Sequence, residues 1–175
     1  MIITKSNSGK TCLSVALNLL SRRPMTTCNI RKRLKAKGFA AEEIESAIDR
    51  LKEWNYLDDH SFAVTLIKSK SKKQSRKKVF YDLISAGIDQ KLADSLLESY
   101  YPDERELESC LILAQKLLPL ERQKWQRKVH KSTVPRGKES EIIIYQKLRA
   151  KLILKGYSLN TVQSALAQVF ERENY

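Results

Sequence analysis

The sequence is poor in the residues that punctuate and cross-link a chain. Five Gly and four Pro among 175 residues are too few for the turns of a many-stranded sheet, and leave long helices as the alternative. Cys12, Cys28 and Cys110 are odd in number and widely spaced, which excludes a disulfide framework. The two histidines, His60 and His130, do not pair and no CxxC is present, so the ligand sets of a structural zinc site are missing. No apolar run approaches the roughly 18 residues of a membrane-spanning helix. The start, Met1-Ile2-Ile3-Thr4-Lys5, has no extended apolar stretch of secretory type. The expected setting is the cytoplasm, with the three thiols acting as small buried or half-buried side chains.

Acids are outnumbered: 33 Lys and Arg face 20 Asp and Glu, for a net charge of +13 and a pI of about 9.7. Such a surface attracts polyanions, either nucleic acid or an acidic protein face. Hydrophobic residues make up 42% of the chain. That is enough to bury a core and too much for a disordered chain. The length suits one compact domain or a short array of small repeats.

Apolar residues recur at helical spacing. Leu13, Ala16, Leu17 and Leu20 follow i, i+3, i+4, i+7, as do Ile44, Ala47, Ile48 and Leu51, and Val162, Ala165, Leu166 and Val169. No stretch alternates with period two. Pro24, Pro102, Pro119 and Pro135 are expected between helices, where a missing N–H costs least.

Three glycines reveal a repeat. Leu34-Lys35-Ala36-Lys37-Gly38-Phe39 aligns with Leu83-Ile84-Ser85-Ala86-Gly87-Ile88 and with Leu152-Ile153-Leu154-Lys155-Gly156-Tyr157. Ile30, Val79 and Leu148 stand eight residues before each glycine. The apolar pairs Ile44/Ile48, Leu92/Leu96 and Val162/Leu166 follow it. A helix ending in a left-handed residue favours Gly there, and the apolar residue after it folds back on the last turn. Asp89 and Ser158 are suited to cap the next helix. Ala40 is a poor cap, offset by Glu42 and Glu43 in the first turn.

Each unit reads as helix, helix, Gly, helix. The expected fold is all-α: a tandem array of three three-helix, helix-turn-helix-like repeats, elongated and curved. The first covers residues 11–57, the second 58–102 and the third 103–175. The third includes a basic insertion near 119–140, with a short helix around Glu121–Val129.

Positive charge falls in three blocks that contain no acid. Arg22, Arg23, Arg31, Lys32, Arg33, Lys35 and Lys37 flank or occupy the second helix. Lys68, Lys70, Lys72, Lys73, Arg76, Lys77 and Lys78 mark the junction of the fourth and fifth. Arg122, Lys124, Arg127, Lys128, Lys131, Arg136 and Lys138 lie in the insertion. A solvated face explains scattered, mixed-sign charge, but like-charged blocks repel themselves. They raise affinity for phosphates by counterion release and carry no base-reading code. The contact residues expected from this reading are Arg31, Lys32, Arg33, Lys35, Lys70, Lys72, Lys73, Arg76, Lys77, Lys78, Arg122, Lys124, Arg127 and Lys128. Of the nearby aromatics, Phe80 and Tyr81 are expected in part in the core, and Trp125 is the better exposed candidate for stacking on bases.

Catalytic readings are weaker. Gly9-Lys10-Thr11 has the form of a phosphate-loop ending, but position 4 is Thr4 where the motif needs Gly, and no buried strand precedes it. Ser8 or Thr11 near a helix start is the plainer account. The acidic pairs Glu42/Glu43, Asp58/Asp59 and Glu139/Glu141 sit at expected helix starts, where capping and the helix dipole favour them. No positioned His completes a hydrolytic site. No cofactor, metal or catalytic residue is expected.

The junction Asn55-Tyr56-Leu57-Asp58-Asp59-His60-Ser61-Phe62-Ala63 is the most specific segment. Asp58 or Asp59 can cap a helix whose inner face carries Phe62, Ala63, Leu66 and Ile67. The segment resembles the "YLDD…FA" signature of the RecX family. The likeness continues through the Lys/Arg-rich run and Leu83–Ile88, over about residues 13–172. Ser75 stands where that family usually has Gly, and the basic insertion is longer than the family pattern. The resemblance implies a non-enzymatic regulator, here a monomer, that binds the RecA recombinase filament along its helical groove. It also implies that the protein restrains ATP hydrolysis, strand exchange and coprotease action in recombination, DNA repair and the SOS response. The charge adds non-sequence-specific binding of single-stranded and double-stranded DNA. A helix-turn-helix-like DNA-binding regulator without a RecA target is the competing reading.

Overall fold

A computed structural model describes residues 11–129 and 138–171, apart from the side chains of Val129 and Lys138. Gly9, Lys10, His130, Lys131, Pro135, Arg136 and Gly137 lie outside the described residues. Within them the secondary structure is nine helices and no strand: α1 (Cys12–Arg22), α2 (Thr27–Ala36), α3 (Ala41–Glu53), α4 (Asp59–Lys70), α5 (Arg76–Ser85), α6 (Gln90–Tyr100), α7 (Asp103–Val129), α8 (Lys138–Leu154) and α9 (Leu159–Glu171). This is an all-α helical repeat fold, with a glycine corner after every second helix of a triplet.

The corners share one geometry. Gly38, Gly87 and Gly156 have φ of +87°, +87° and +91°. In each case the N–H of the following residue reaches back to the carbonyl of the leucine five before it. Phe39 donates to Leu34 at 3.4 Å, Ile88 to Leu83 at 3.1 Å and Tyr157 to Leu152 at 3.3 Å. That bond satisfies a carbonyl the helix end leaves orphaned. Leu34, Leu83 and Leu152 are fully buried beneath it. A fourth corner uses asparagine: Asn55 has φ +58°, and Tyr56 N–H donates to Leu51 O at 2.8 Å.

Side chains close the helix starts. Thr11 accepts from Ser14 N–H at 3.2 Å, Asp58 from Ser61 N–H at 3.0 Å, and Ser158 from Thr161 N–H at 3.1 Å. Asp89 accepts from Lys91 and Leu92 N–H at 2.9 and 3.2 Å. Ala40 has no such oxygen, and the Glu43 carboxylate accepts from Ala40 N–H instead, at 3.0 Å. Of the acidic pairs, Glu43, Asp58 and Asp59 accept from backbone amides, whereas Glu141 pairs with the Arg122 side chain.

The chain divides into two compact units: Met1–Leu66 with Asp82–Leu96, and Ile67–Tyr81 with Leu97–Tyr175. The first is built round Ala16, Ile30, Leu34, Ile44, Ala47, Ile48 and Leu51. The second is built round Cys110, Ala114, Leu118, Trp125, Leu148, Leu152, Val162 and Leu166.

One expectation is overturned. Residues 121–129 are not a separate short helix: α7 runs unbroken for 27 residues with Pro119 inside it. Proline removes the hydrogen bond to the carbonyl four residues earlier, that of Gln115. Both Gln115 and Pro119 are exposed, so water can serve that carbonyl. Meanwhile the buried stripe Cys110, Ala114, Leu118, Glu121 and Trp125 continues past the proline and holds the helix by packing.

A joint between triplets is made twice, once inside each unit. Thr26 caps α2 by accepting from Asn29 N–H at 3.2 Å, and its hydroxyl donates to the carbonyl of Ala86, the residue before Gly87. The next amide, Thr27 N–H, donates to the Asp59 carboxylate at 2.7 Å. Ser75 repeats this at α5. It accepts from Lys78 N–H at 3.3 Å and donates to the carbonyl of Lys155, the residue before Gly156, at 2.8 Å. Arg76 N–H then donates to Glu106 at 2.8 Å. The Gly87 and Gly156 corners are thus each seated on the start of the preceding triplet's second helix. An added Cβ at Gly87 would lie 2.3 Å from Cys28 Cβ, and one at Gly156 would lie 2.8 Å from Ser75 Oγ. At Gly38, in the first triplet described, an added Cβ would meet nothing within 4 Å.

Candidate nucleic-acid interface

The three basic blocks have different environments. In the first, Arg31 is held by Glu45 through two hydrogen bonds, at 2.6 and 2.8 Å. The paired guanidinium lowers the Glu45 carboxyl below its ordinary range. Lys32, Arg33 and Lys35 are exposed on the same helix with no carboxylate partner among the described residues.

The third block is partly neutralised. Arg122 forms a bidentate pair with Glu141, at 2.9 and 3.2 Å. Glu121, buried at 7% exposure, accepts from Lys151 and from Lys124. The bond from Lys151 is the main reason its carboxyl is held low. Arg127 and Lys128 are exposed near the end of α7. Lys131 and Arg136 lie outside the described residues, and so does the side chain of Lys138.

The middle block keeps the most open charge. Lys72, Lys73, Lys77 and Lys78 are exposed in the turn after α4 and the first turn of α5, and none has a carboxylate partner among the described residues. Around them, Lys68 Nζ lies 5.4 Å from the Tyr100 ring centroid, and Lys70 is half-buried. Arg76 contacts Asp103 at 3.3 Å. Ser71 and Ser75 are buried beneath the exposed lysines, so the segment is held by its serines and shows its ammonium groups to solvent.

The aromatics are placed differently from expectation. Trp125 is 9% exposed: it belongs to the core, and Lys147 lies over its ring at 4.4 Å. The stripe that continues through Pro119 turns it inward. Of the three aromatics near the basic blocks, Tyr81 is the exposed one, at 56%, with the half-buried Phe80 edge-on to it at 5.8 Å. It stands one helical turn from Lys77 and Lys78, in reach of whatever they bind.

Groups of three or more potential metal-binding side chains are absent among the described residues. Burial raises the thiols of Cys12 and Cys110, the latter to about 12, which makes them poor nucleophiles. No helix among the described residues is long and apolar enough to cross a membrane.

A helical repeat protein with corner-on-helix joints and an open cationic segment is the class these features define. Residues 12–51 match the family model for RecX, first three-helix domain. A regulatory protein RecX from Caldanaerobacter subterraneus subsp. tengcongensis is 30% identical over 152 residues, 86% of this chain and 66% of that protein. The regulatory protein RecX of Clostridium botulinum strain Eklund 17B is 30% identical over 164 residues, 94% of this chain and 71% of its own. The crystal structure of RecX from Lactobacillus salivarius has a similar fold, with a TM-score of 0.70 at 22% identity over 90% of this chain and 93% of that one. The chain belongs to the RecX family of regulatory proteins.

Proposed function

We propose that the protein binds the filament formed by the RecA recombinase on DNA and restrains its ATP hydrolysis, strand exchange and coprotease action. In this reading it acts as a monomer, in the cytoplasm and without a catalytic step of its own. The carrying observation is the middle block: four neighbouring exposed lysines, 72, 73, 77 and 78, without acidic partners among the described residues, in a chain of this family. Four clustered ammonium groups cost stability through mutual repulsion, and a polyanionic surface relieves that repulsion. Their binding is set by phosphate spacing and salt, with no base-edge readout.

Lys32, Arg33, Lys35, Lys70, Arg76, Lys124, Arg127 and Lys128 extend the proposed contact surface. Arg31 and Arg122 contribute less, because Glu45 and Glu141 already hold them. The test is hydrolysis of ATP by RecA on single-stranded DNA, titrated with this protein. Wild type should depress the rate. A variant with Lys72, Lys73, Lys77 and Lys78 changed to Glu should keep its helicity and need at least about tenfold more protein for the same effect. Unchanged inhibition by that variant at moderate salt refutes the reading. Tight, sequence-dependent duplex binding with no effect on RecA would establish the competing DNA-binding regulator.

A further inference from the structure

The second triplet joint carries groups that the joint itself does not need. Beside Ser75 and Gly156 lies an open pocket of about 180 Å³, lined by Lys73, Gln74, Ser75, Lys78, Leu154, Lys155 and Tyr157. It is smaller than the roughly 300 Å³ at which drug-sized ligand sites begin, and its size suits a single small group. Three lysines line it, and none of them has a carboxylate partner among the described residues. The site is therefore polar and strongly positive.

The first joint serves as an internal control. It has the same capping hydroxyl, the same carbonyl acceptor and the same glycine corner. Aligned on those features, the residues matching Lys73, Lys78 and Lys155 are Pro24, Asn29 and Ala86. The joint forms without a single cation at these positions. The three lysines of the second joint repel one another and do nothing for the corner, so their presence calls for an anion. Lys155 also stands 77 residues from Lys78 in a segment outside the three basic blocks. Only the seating of the Gly156 corner on α5, through the 2.8 Å bond from Ser75 Oγ to Lys155 O, brings it to the middle block.

We propose that this pocket is a phosphate-binding site, with Lys73, Lys78 and Lys155 as its three cationic contacts. Glu106 and Asp103 are engaged by Arg76, and no acid lines the pocket. The phosphate can come from a nucleic-acid backbone or from a free phosphate compound, and the chemistry of recognition is shared. The inference rests on the reading that the middle block faces a polyanion, and adds to it a defined seat and a residue, Lys155, that the block does not contain.

The test measures binding of fluorescent oligo-dT to the protein alone, without a recombinase, across a salt series. Lys155→Ala should weaken binding about three- to tenfold at low salt and shift the slope of log K against log salt by about 0.7 toward zero, the loss of one phosphate contact on a single strand. Lys155→Arg should restore most of the affinity. Lys91→Ala removes the same charge from an exposed position on α6 and should change binding less than twofold. Competition by pyrophosphate at constant ionic strength separates the sources: displacement from wild type but not from Lys155→Ala marks a free phosphate compound as ligand, and failure to displace marks the backbone. Equal effects of Lys155→Ala and Lys91→Ala overturn the pocket. If at the same time the four-lysine variant still loses inhibition of RecA, the wider reading stands and the pocket alone falls.

Discussion

Replacing two glycines by alanine separates the two demands that a corner makes. Gly38 and Gly87 have the same φ, +87°, so an alanine at either pays the same conformational penalty of about 1–2 kcal/mol. Their surroundings differ. Around Gly38 a Cβ meets nothing within 4 Å, whereas at Gly87 it would lie 2.3 Å from Cys28 Cβ and 2.6 Å from Cys28 Sγ. Relieving that overlap means shifting the α2 start against the corner, an overpacking cost of about 1–3 kcal/mol. Gly38→Ala should therefore lower stability by about 1–2 kcal/mol and Gly87→Ala by about 2–5 kcal/mol, where Tm falls roughly 2–4 °C per kcal/mol in a chain of this size. Thermal and urea unfolding followed by circular dichroism give both numbers. Cys28→Gly removes both clashing atoms, at a helix cost of about 1 kcal/mol. Combined with Gly87→Ala it should recover the packing part, seen as a positive coupling in the double-mutant cycle. Cys28→Ala keeps the Cβ and should recover little. Equal losses for Gly38→Ala and Gly87→Ala, or no coupling with Cys28→Gly, would refute the seating of the corner on the helix start.

Two further expectations concern the carboxylates of the joints. Asp59→Ala leaves the Thr27 amide, on a residue 8% exposed, without its acceptor and should cost about 1–3 kcal/mol in urea unfolding; a loss below 0.5 kcal/mol would remove that bond from the joint. Glu106 is raised above its ordinary range by burial, against the opposing hydrogen bond from Arg76 N–H. It therefore keeps a proton in the fold at a pH where the unfolded chain has lost it. Its contribution to stability is present below the unfolded value and is lost as pH climbs through the folded one. Glu106→Gln keeps an acceptor for Arg76 and does not titrate. Its Tm relative to wild type should be more favourable at pH 7 than at pH 4, and a difference independent of pH would contradict the assignment. Glu45, Asp58 and Glu121 are shifted downward and act in the opposite sense, so the comparison with the variant is needed to isolate Glu106.

The repeat was legible because a left-handed corner imposes a residue type. Only Gly, or more rarely Asn, takes positive φ without strain, and the leucine beneath must be apolar, so Leu34-x-x-x-Gly38 recurs at 83–87 and 152–156. Asp89 and Ser158 were legible as caps for a similar reason. Pro119 was misleading because its cost depends on which side of the helix faces water, and that is a property of the packed structure. Trp125 followed from the same error: once α7 is continuous, position 125 falls on the buried stripe of Leu118 and Glu121. The partners of Arg31 and Arg122 come from other helices, and no local pattern announces them. Lys155 could not be joined to the middle block by any rule of spacing, although the alignment of Ser75 with Thr26 was a signal that two joints exist and differ in charge.

Past Pro119, the last ten residues of α7 keep their place through lateral fastenings more than through their own backbone. Trp125 is sunk among the side chains of the second unit, and Glu121 is clasped by Lys151 of α8. With one rung of the ladder missing at Gln115, a helix that loses either fastening has a ready place to stop unwinding. The tip can come loose as far as the proline while everything before it stays wound, and the damage ends where the missing rung already marks a break.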